Sequence, residues 1–213
     1  MHTVDLAGHG GRPLGEATSI SALAADVLAR CPDGATLVAG HSLGAVVALQ
    51  MAIARPDYAR GVLIEDPPGL GETGVGEPGS AETVAAGIFA EVTQAWTDSD
   101  AAVAADLVAH PRWEPRDAEY AVQSRLQLDP AIASLSPTAH AWDLAALVAA
   151  CPVPLALIAA SGPESELGEP VRSALLKLLP PERVTELPSG HAVHKDHPRR
   201  WAELVAAFGE TLL

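Results

Sequence analysis

The chain has 213 residues, enough for one domain with an insertion and for a core that needs neither disulfides nor metals. Apolar residues make up 48% and charged residues 19%, which excludes a disordered chain. With 13 basic residues against 27 acidic and a net charge of −14, a duplex-binding surface is excluded and an anionic membrane surface is disfavoured, since both need clustered Lys and Arg.

The N-terminus MHTVDLAGHG has neither the basic stretch nor the apolar stretch of a signal peptide, and no run of about 20 apolar residues is present, so a cytoplasmic address is expected. After this short extended start, Ile20, Leu23, Val27 and Leu28 recur at helical spacing with Thr18 or Ser19 as N-cap, and Pro32-Asp33-Gly34 ends that helix. Thr36 to Ala39 reads as a buried strand. Gly40-His41-Ser42-Leu43-Gly44 follows, then residues 43–55, apolar on nearly every side and stopped by Pro56, which predict a fully buried helix. Val62-Leu63-Ile64 is the next strand and runs into Glu65-Asp66.

From Pro67 to Ser80 the chain is rich in Gly and Pro and reads as a long loop. Helical patterns cover 81–96, 98–109, 117–128 and 142–150, broken at Pro111, Pro115, Pro130 and Pro137. Strand and helix then alternate again. Leu155 to Ala160 is a strand, 170–179 a helix and Arg183 to Leu187 a strand. Trp201, Leu204, Val205, Phe208 and Leu212 mark one face of a last helix. This order predicts an α/β fold, a parallel sheet of about five strands with helices on both faces, its core formed by 1–66 and 151–213 and interrupted by a helical insertion over 67–150. Cys31 and Cys151 make no disulfide framework and are expected to be buried free thiols at helix ends.

Gly40-His41-Ser42-Leu43-Gly44 is G-x-S-x-G with a strand before it and a helix after it. A serine on such a turn stands at the helix N-terminus, where partial positive charge favours a developing anion, and the Leu43 N–H is a ready oxyanion donor. Ser189-Gly190-His191 follows the last strand, which puts a base of near-neutral pKa at the same sheet edge. Two carboxylates stand at strand ends as the leading candidates to orient that base, Asp66 and Glu164, with Glu65, Glu166 or no acid at all as the remaining alternatives. His191, His194 and His197 are spaced by three, a pattern that also suits metal, but no metal is expected because i, i+3 and i+6 do not share one helix face closely. His197 or Asp196 is instead expected to cap the last helix.

These motifs resemble the α/β-hydrolase superfamily. Asp5-Leu6-Ala7-Gly8-His9-Gly10 is similar to the stretch after its fourth strand, GHSLG to its nucleophile elbow, LIEDPPG to its sixth-strand end, PVPLALIAASG to its seventh strand and SGHAVHKDHP to its histidine loop. The resemblance makes 67–150 a lid, with His41, Trp96, Trp113 and Trp142 as candidate substrate-lining residues. It also implies that the three strands and the H-G loop that precede the Asp5 stretch in relatives, with their second oxyanion donor, are lacking here. Residues 2–6 would then pair directly with strand 36–39, or an open edge would promote homo-oligomers. At the seventh-strand turn this chain has Gly162-Pro163-Glu164 where relatives carry aspartate. The expected function is cofactor-free hydrolysis of an ester, lactone, thioester or related carbonyl of a small molecule by Ser42, His191 and an acid. The alternative is a catalytically crippled relative that acts as a binding protein, or an incomplete gene product.

Overall fold

Leu155–Ala160 is apolar at every position because both its faces are covered. In the computed structural model, which describes residues 1–32, 34–69, 81–134 and 142–213, this stretch is β3 of a parallel sheet in the order β1-β2-β3-β4. The other strands are β1 (Val38–His41), β2 (Val62–Glu65) and β4 (Val184–Leu187). Side chains alternate across the sheet with period two. Val62, Ile64, Leu155, Leu157 and Ala159 enter one core, whereas Leu63, Ala156, Ile158 and Ala160 enter the other. Register is parallel throughout, with His41 opposite Glu65 and Glu65 opposite Ile158, so the carboxyl ends of all four strands lie at one edge.

The chain divides into two compact units, Met1–Ser19 with Glu72–Ala141 and Ile20–Gly71 with Trp142–Leu213. The second holds the sheet. Its first core is closed by α2 (Leu43–Ala54), α6 (Leu144–Ala150) and α7 (Val171–Leu178) through Leu49, Leu144, Val148 and Leu175. The other is closed by α8 (Val193–Asp196) and α9 (Pro198–Glu210) through Val193, Phe208 and the flanking Trp201 and Leu204. Helix α1 (Ile20–Arg30) packs on α2. Helix α2 is buried from Ala45 to Leu49 without a break, the reason its sequence carries no polar face.

The other unit contains α3 (Ala81–Thr97), α4 (Ser99–Ala109) and α5 (Pro115–Leu126), packed around Ala95, Ala102 and Val122. Asp98 caps α4 by accepting from the Ala101 N–H, and Pro115 opens α5, where its missing N–H costs nothing. Arg125 joins Asp106 at 2.6 Å and Glu91 at 2.9 Å.

Four expectations need correction. The sheet has four strands among the described residues, not five, since residues 2–6 form no strand. The strand expected at 36–39 starts two residues later and is an edge strand with Ala39 exposed, because its one ladder partner among the described residues is β2. The boundaries of the insertion also shift. Residues 8–14 are tied to the exit of α5, Gly11 N–H to Gln127 C=O at 2.9 Å and Leu14 N–H to Asp129 Oδ2 at 2.7 Å, while α6 belongs to the sheet unit because Leu144 and Val148 enter its core. Cys31 and Cys151 are half-buried rather than buried. Most of the Gly- and Pro-rich loop (70–80) and residues 135–141, with Pro137, lie outside the described residues.

Between β1 and α2 the chain turns so tightly that a Cβ on Gly40 would overlap the carbonyl of Gly44, whereas a Cβ on Gly44 would meet nothing within 4 Å. The two glycines therefore differ in kind. Gly40→Ala is expected to destabilise the protein by about 3 kcal/mol or more through a backbone clash. Gly44→Ala, inside α2, is expected to stabilise it by up to about 1 kcal/mol through helix propensity. Urea unfolding of the two variants checks both signs.

Candidate active site

Each strand of the sheet delivers one piece of the site at the carboxyl edge, where ligands of open α/β sheets bind. β1 runs into Ser42, which adopts φ 53° and ψ −126°, a conformation that costs a non-glycine residue about 1–3 kcal/mol. The strain is held from both sides, by the Ser42 N–H donating to the Glu65 carbonyl at 3.0 Å and by the Ala45 N–H donating to the Ser42 carbonyl at 2.9 Å. Ser42 is the N-cap residue of α2, yet its hydroxyl makes no capping bond and remains available. Leu43 is the first helical residue, so its N–H has no partner within the helix.

β2 runs into Asp66, which is fully buried and has φ 36°. Its carboxylate accepts four hydrogen bonds. Oδ1 takes the Ala160 N–H at 3.1 Å and the Ser165 hydroxyl at 2.7 Å; Oδ2 takes the Glu166 N–H at 3.0 Å and His191 Nδ1–H at 2.7 Å. Since a carboxylate without a proton can only accept, Nδ1 carries a hydrogen, and in the neutral ring it is Nε2 that keeps the lone pair. Of the two candidate carboxylates, Asp66 is thus the one that holds the His191 ring. Glu164 is exposed, and its side chain lies against the Gly190 backbone. Glu166 is pushed above the ordinary carboxylate range by burial, with the Asp66 charge adding to the effect.

β4 leads to the loop that carries His191. Ser189 is buried and its carbonyl accepts the Gly162 N–H at 2.9 Å, which fastens this loop to the turn after β3. His197 is the N-cap residue of α9, as expected, but its side chain makes no capping bond, and Asp196 stands one residue before it. Asp196 Oδ2 accepts the Gly190 N–H at 2.8 Å, and His197 Nε2–H donates to the Pro188 carbonyl at 3.2 Å, because both turn back onto the histidine loop. His191, His194 and His197 therefore go to three different acceptors, Asp66, Glu65 and Pro188.

His41 lies between the two halves of the site. Its Nε2–H donates to the His191 carbonyl at 3.0 Å, and its ring centroid is 4.5 Å from that of His191 and 4.9 Å from that of His194. No hydrogen bond between Ser42 Oγ and His191 is among the described contacts; nucleophile–base bonds often form only when substrate is bound. Trp142 is half-buried against the sheet core and donates its indole N–H to the Pro68 carbonyl at 3.0 Å. Trp96 lies exposed on α3, and Trp113 stacks on His110 at 4.0 Å, both in the helical unit.

The pairing that sequence reasoning missed is Glu65 with His194. Glu65 is 1% exposed, and its Oε1 accepts both the His194 backbone N–H at 3.0 Å and the ring Nδ1–H at 2.8 Å. Burial alone would raise the Glu65 pKa, but the His194 hydrogen bonds and the neighbouring imidazoles outweigh it and hold the group below its ordinary value. The one available signal was a carboxylate directly after three apolar strand residues.

Burial, with the nearby His191 and His194 rings, lowers His41 to about 4, so it is neutral at pH 7. Unfolded, the same side chain takes a proton near 6.5, so between these values the unfolded state binds more protons than the folded state. Stability is therefore expected to fall as pH drops from about 6.5 towards 4, by at most about 3 kcal/mol from this residue. Urea unfolding at pH 7, 5.5 and 4.5 measures the slope, and His41→Asn should flatten it.

The fold has known counterparts. A crystal structure of E-2-(acetamidomethylene)succinate hydrolase is similar over 97% of this chain and 80% of that one, with 19% identity and a TM-score of 0.68. Est816, described as an N-acyl homoserine lactone degrading enzyme, is similar over 96% of this chain and 80% of that one (22% identity, TM-score 0.67). A thioesterase domain from the curacin biosynthetic pathway is similar over 95% of this chain and 79% of that one (20% identity, TM-score 0.65). In sequence, 67 residues are 42% identical to lipase LipV of Mycobacterium tuberculosis (strain ATCC 25618 / H37Rv), a stretch of 30% of this chain that spans a quarter of that lipase. A family model described as the alpha/beta hydrolase family matches residues 1–204, nearly end to end, and this chain belongs to that family.

Proposed function

We propose that the protein is a serine hydrolase that cleaves an ester, lactone, thioester or related carbonyl of a small molecule. The observation that carries this reading is the 2.7 Å bond from His191 Nδ1–H to a fully buried Asp66, at the same sheet edge as a serine held in a positive-φ turn. Ser42 Oγ attacks the carbonyl carbon while His191 Nε2 takes its proton, and Asp66 stabilises the resulting imidazolium. The negative oxygen of the tetrahedral intermediate lies at the N-terminus of α2, where the Leu43 N–H and the helix dipole favour it. Collapse breaks the bond to the alcohol or thiol, which leaves with the proton from His191. Water then attacks the acyl-serine by the same route and regenerates Ser42. No cofactor enters these steps. The substrate range follows the names of similar proteins, a lipase, a lactone-degrading enzyme and a thioesterase.

A crippled relative that only binds is the second reading. A fluorophosphonate probe separates the two, since it labels an activated serine and leaves an idle one untouched. Labelling is expected at Ser42 and is expected to vanish in Ser42→Ala with an unchanged melting temperature. Asp66→Asn should slow labelling by about 10³–10⁴-fold through loss of the favoured tautomer, whereas Glu164→Gln should stay within about threefold. A wild-type protein that does not label at all returns the binding-module reading.

A further inference from the structure

A carboxylate buried at the end of an apolar strand is costly, several kcal/mol before its partners are counted, and Glu65 follows Val62, Leu63 and Ile64, which need no such group for packing. Glu65 nevertheless makes three tertiary contacts at once. Its main-chain carbonyl accepts the Ser42 N–H at 3.0 Å, and its side-chain Oε1 accepts two N–H groups of His194. The next residue, Asp66, holds His191. Glu65 and Asp66 thus grip the histidine loop at two places three residues apart. The His41 bond to the His191 carbonyl closes the circuit between the elbow and that loop.

Resting on the serine-hydrolase reading, we propose that Glu65 and His194 form a second carboxylate–histidine pair that positions His191 for Ser42. Neither residue touches substrate; both are positioning residues. Glu65 fixes the Ser42 turn through its backbone and the His191 loop through its side chain, so nucleophile and base are referenced to one rigid strand end. A metal reading of the same residues is weaker. One donor atom each from His41, Glu65 and His194 lie within 4.8 Å of one another, whereas tetrahedral ligands at about 2.0–2.1 Å from zinc sit about 3.3 Å apart. Glu65 Oε1 and His194 Nδ1 are already joined by a proton.

His194 is the safer residue to change, since its side chain is one-third exposed while Glu65 is 1% exposed. The test compares His194→Ala, which removes the ring donor, with His194→Asn, whose amide N–H reaches from nearly the same place as Nδ1. Two readouts are taken on the intact chain. The first is the rate and pH profile of fluorophosphonate labelling at Ser42. The second is the exchange rate of the His191 Nδ1–H proton, seen as a downfield NMR signal, which needs no activity. His194→Ala is expected to slow labelling at least tenfold and to speed exchange of the His191 proton at least tenfold, with a melting temperature within a few degrees of the parent. His194→Asn is expected to restore both to within about threefold. An Ala variant that matches the wild type in both readouts overturns the proposal, and so does an Asn variant as impaired as Ala, since a donor would then not suffice. Should the wild type fail to label, the hydrolase reading fails by itself, and the NMR exchange rates still decide whether His194 holds His191.

Discussion

Two adjacent carboxylates at the end of β2 organise this protein. Glu65 and Asp66 are both almost completely shielded from water, where an unpaired charge is prohibitive, and the chain after β3 and after β4 brings donors to them. The turn after β3 supplies the Ser165 hydroxyl and the Glu166 N–H, β3 itself supplies the Ala160 N–H, and the loop after β4 supplies His191 and His194. The cost of burying the pair is the reason donors from these segments converge on it. Loops free of these acceptors would have no physical reason to converge.

The elbow is the complementary constraint. Ser42 is held at positive φ because its N–H belongs to the Glu65 carbonyl and because Gly40 leaves room for the backbone to double back over Gly44. Helix α2 carries this strain. Buried from Ala45 through Leu49, it is fixed by the core rather than by its own propensity, so the turn ahead of it cannot relax without dislodging apolar surface. Asp66, also at positive φ, is the second strained residue of the described chain that is not glycine. Both strained residues stand directly after strands, at the positions that face the chemistry.

The strands and most helices were legible because burial is written in the residues. Leu155 to Ala160 is apolar throughout, and Trp201, Leu204, Val205 and Phe208 of the last helix recur on one face. Edge status was not legible. Thr36 to Ala39 reads as buried, but which strand lies beside β1 depends on chain order in the sheet, and Ala39 is exposed as a result. The limits of the helical unit were hidden for a similar reason. Asp129 accepts the Leu14 N–H across more than a hundred residues of chain, a contact that no local pattern encodes.

At the site, the sequence by itself determined the nucleophile turn and the histidine loop as candidates, because tight turns and strand ends restrict residue types locally: glycine where a Cβ would clash, a serine before a buried helix, a histidine after the last strand. It left two carboxylates for one role, since Asp66 and Glu164 both follow strands. Only the tertiary structure decided between them as partners of His191, by burying one in a ring of four donors and leaving the other exposed. It alone paired Glu65 with His194, for hydrogen bonds between residues 129 apart depend on how strands stack beside one another, and that information resides in the packing of the whole sheet.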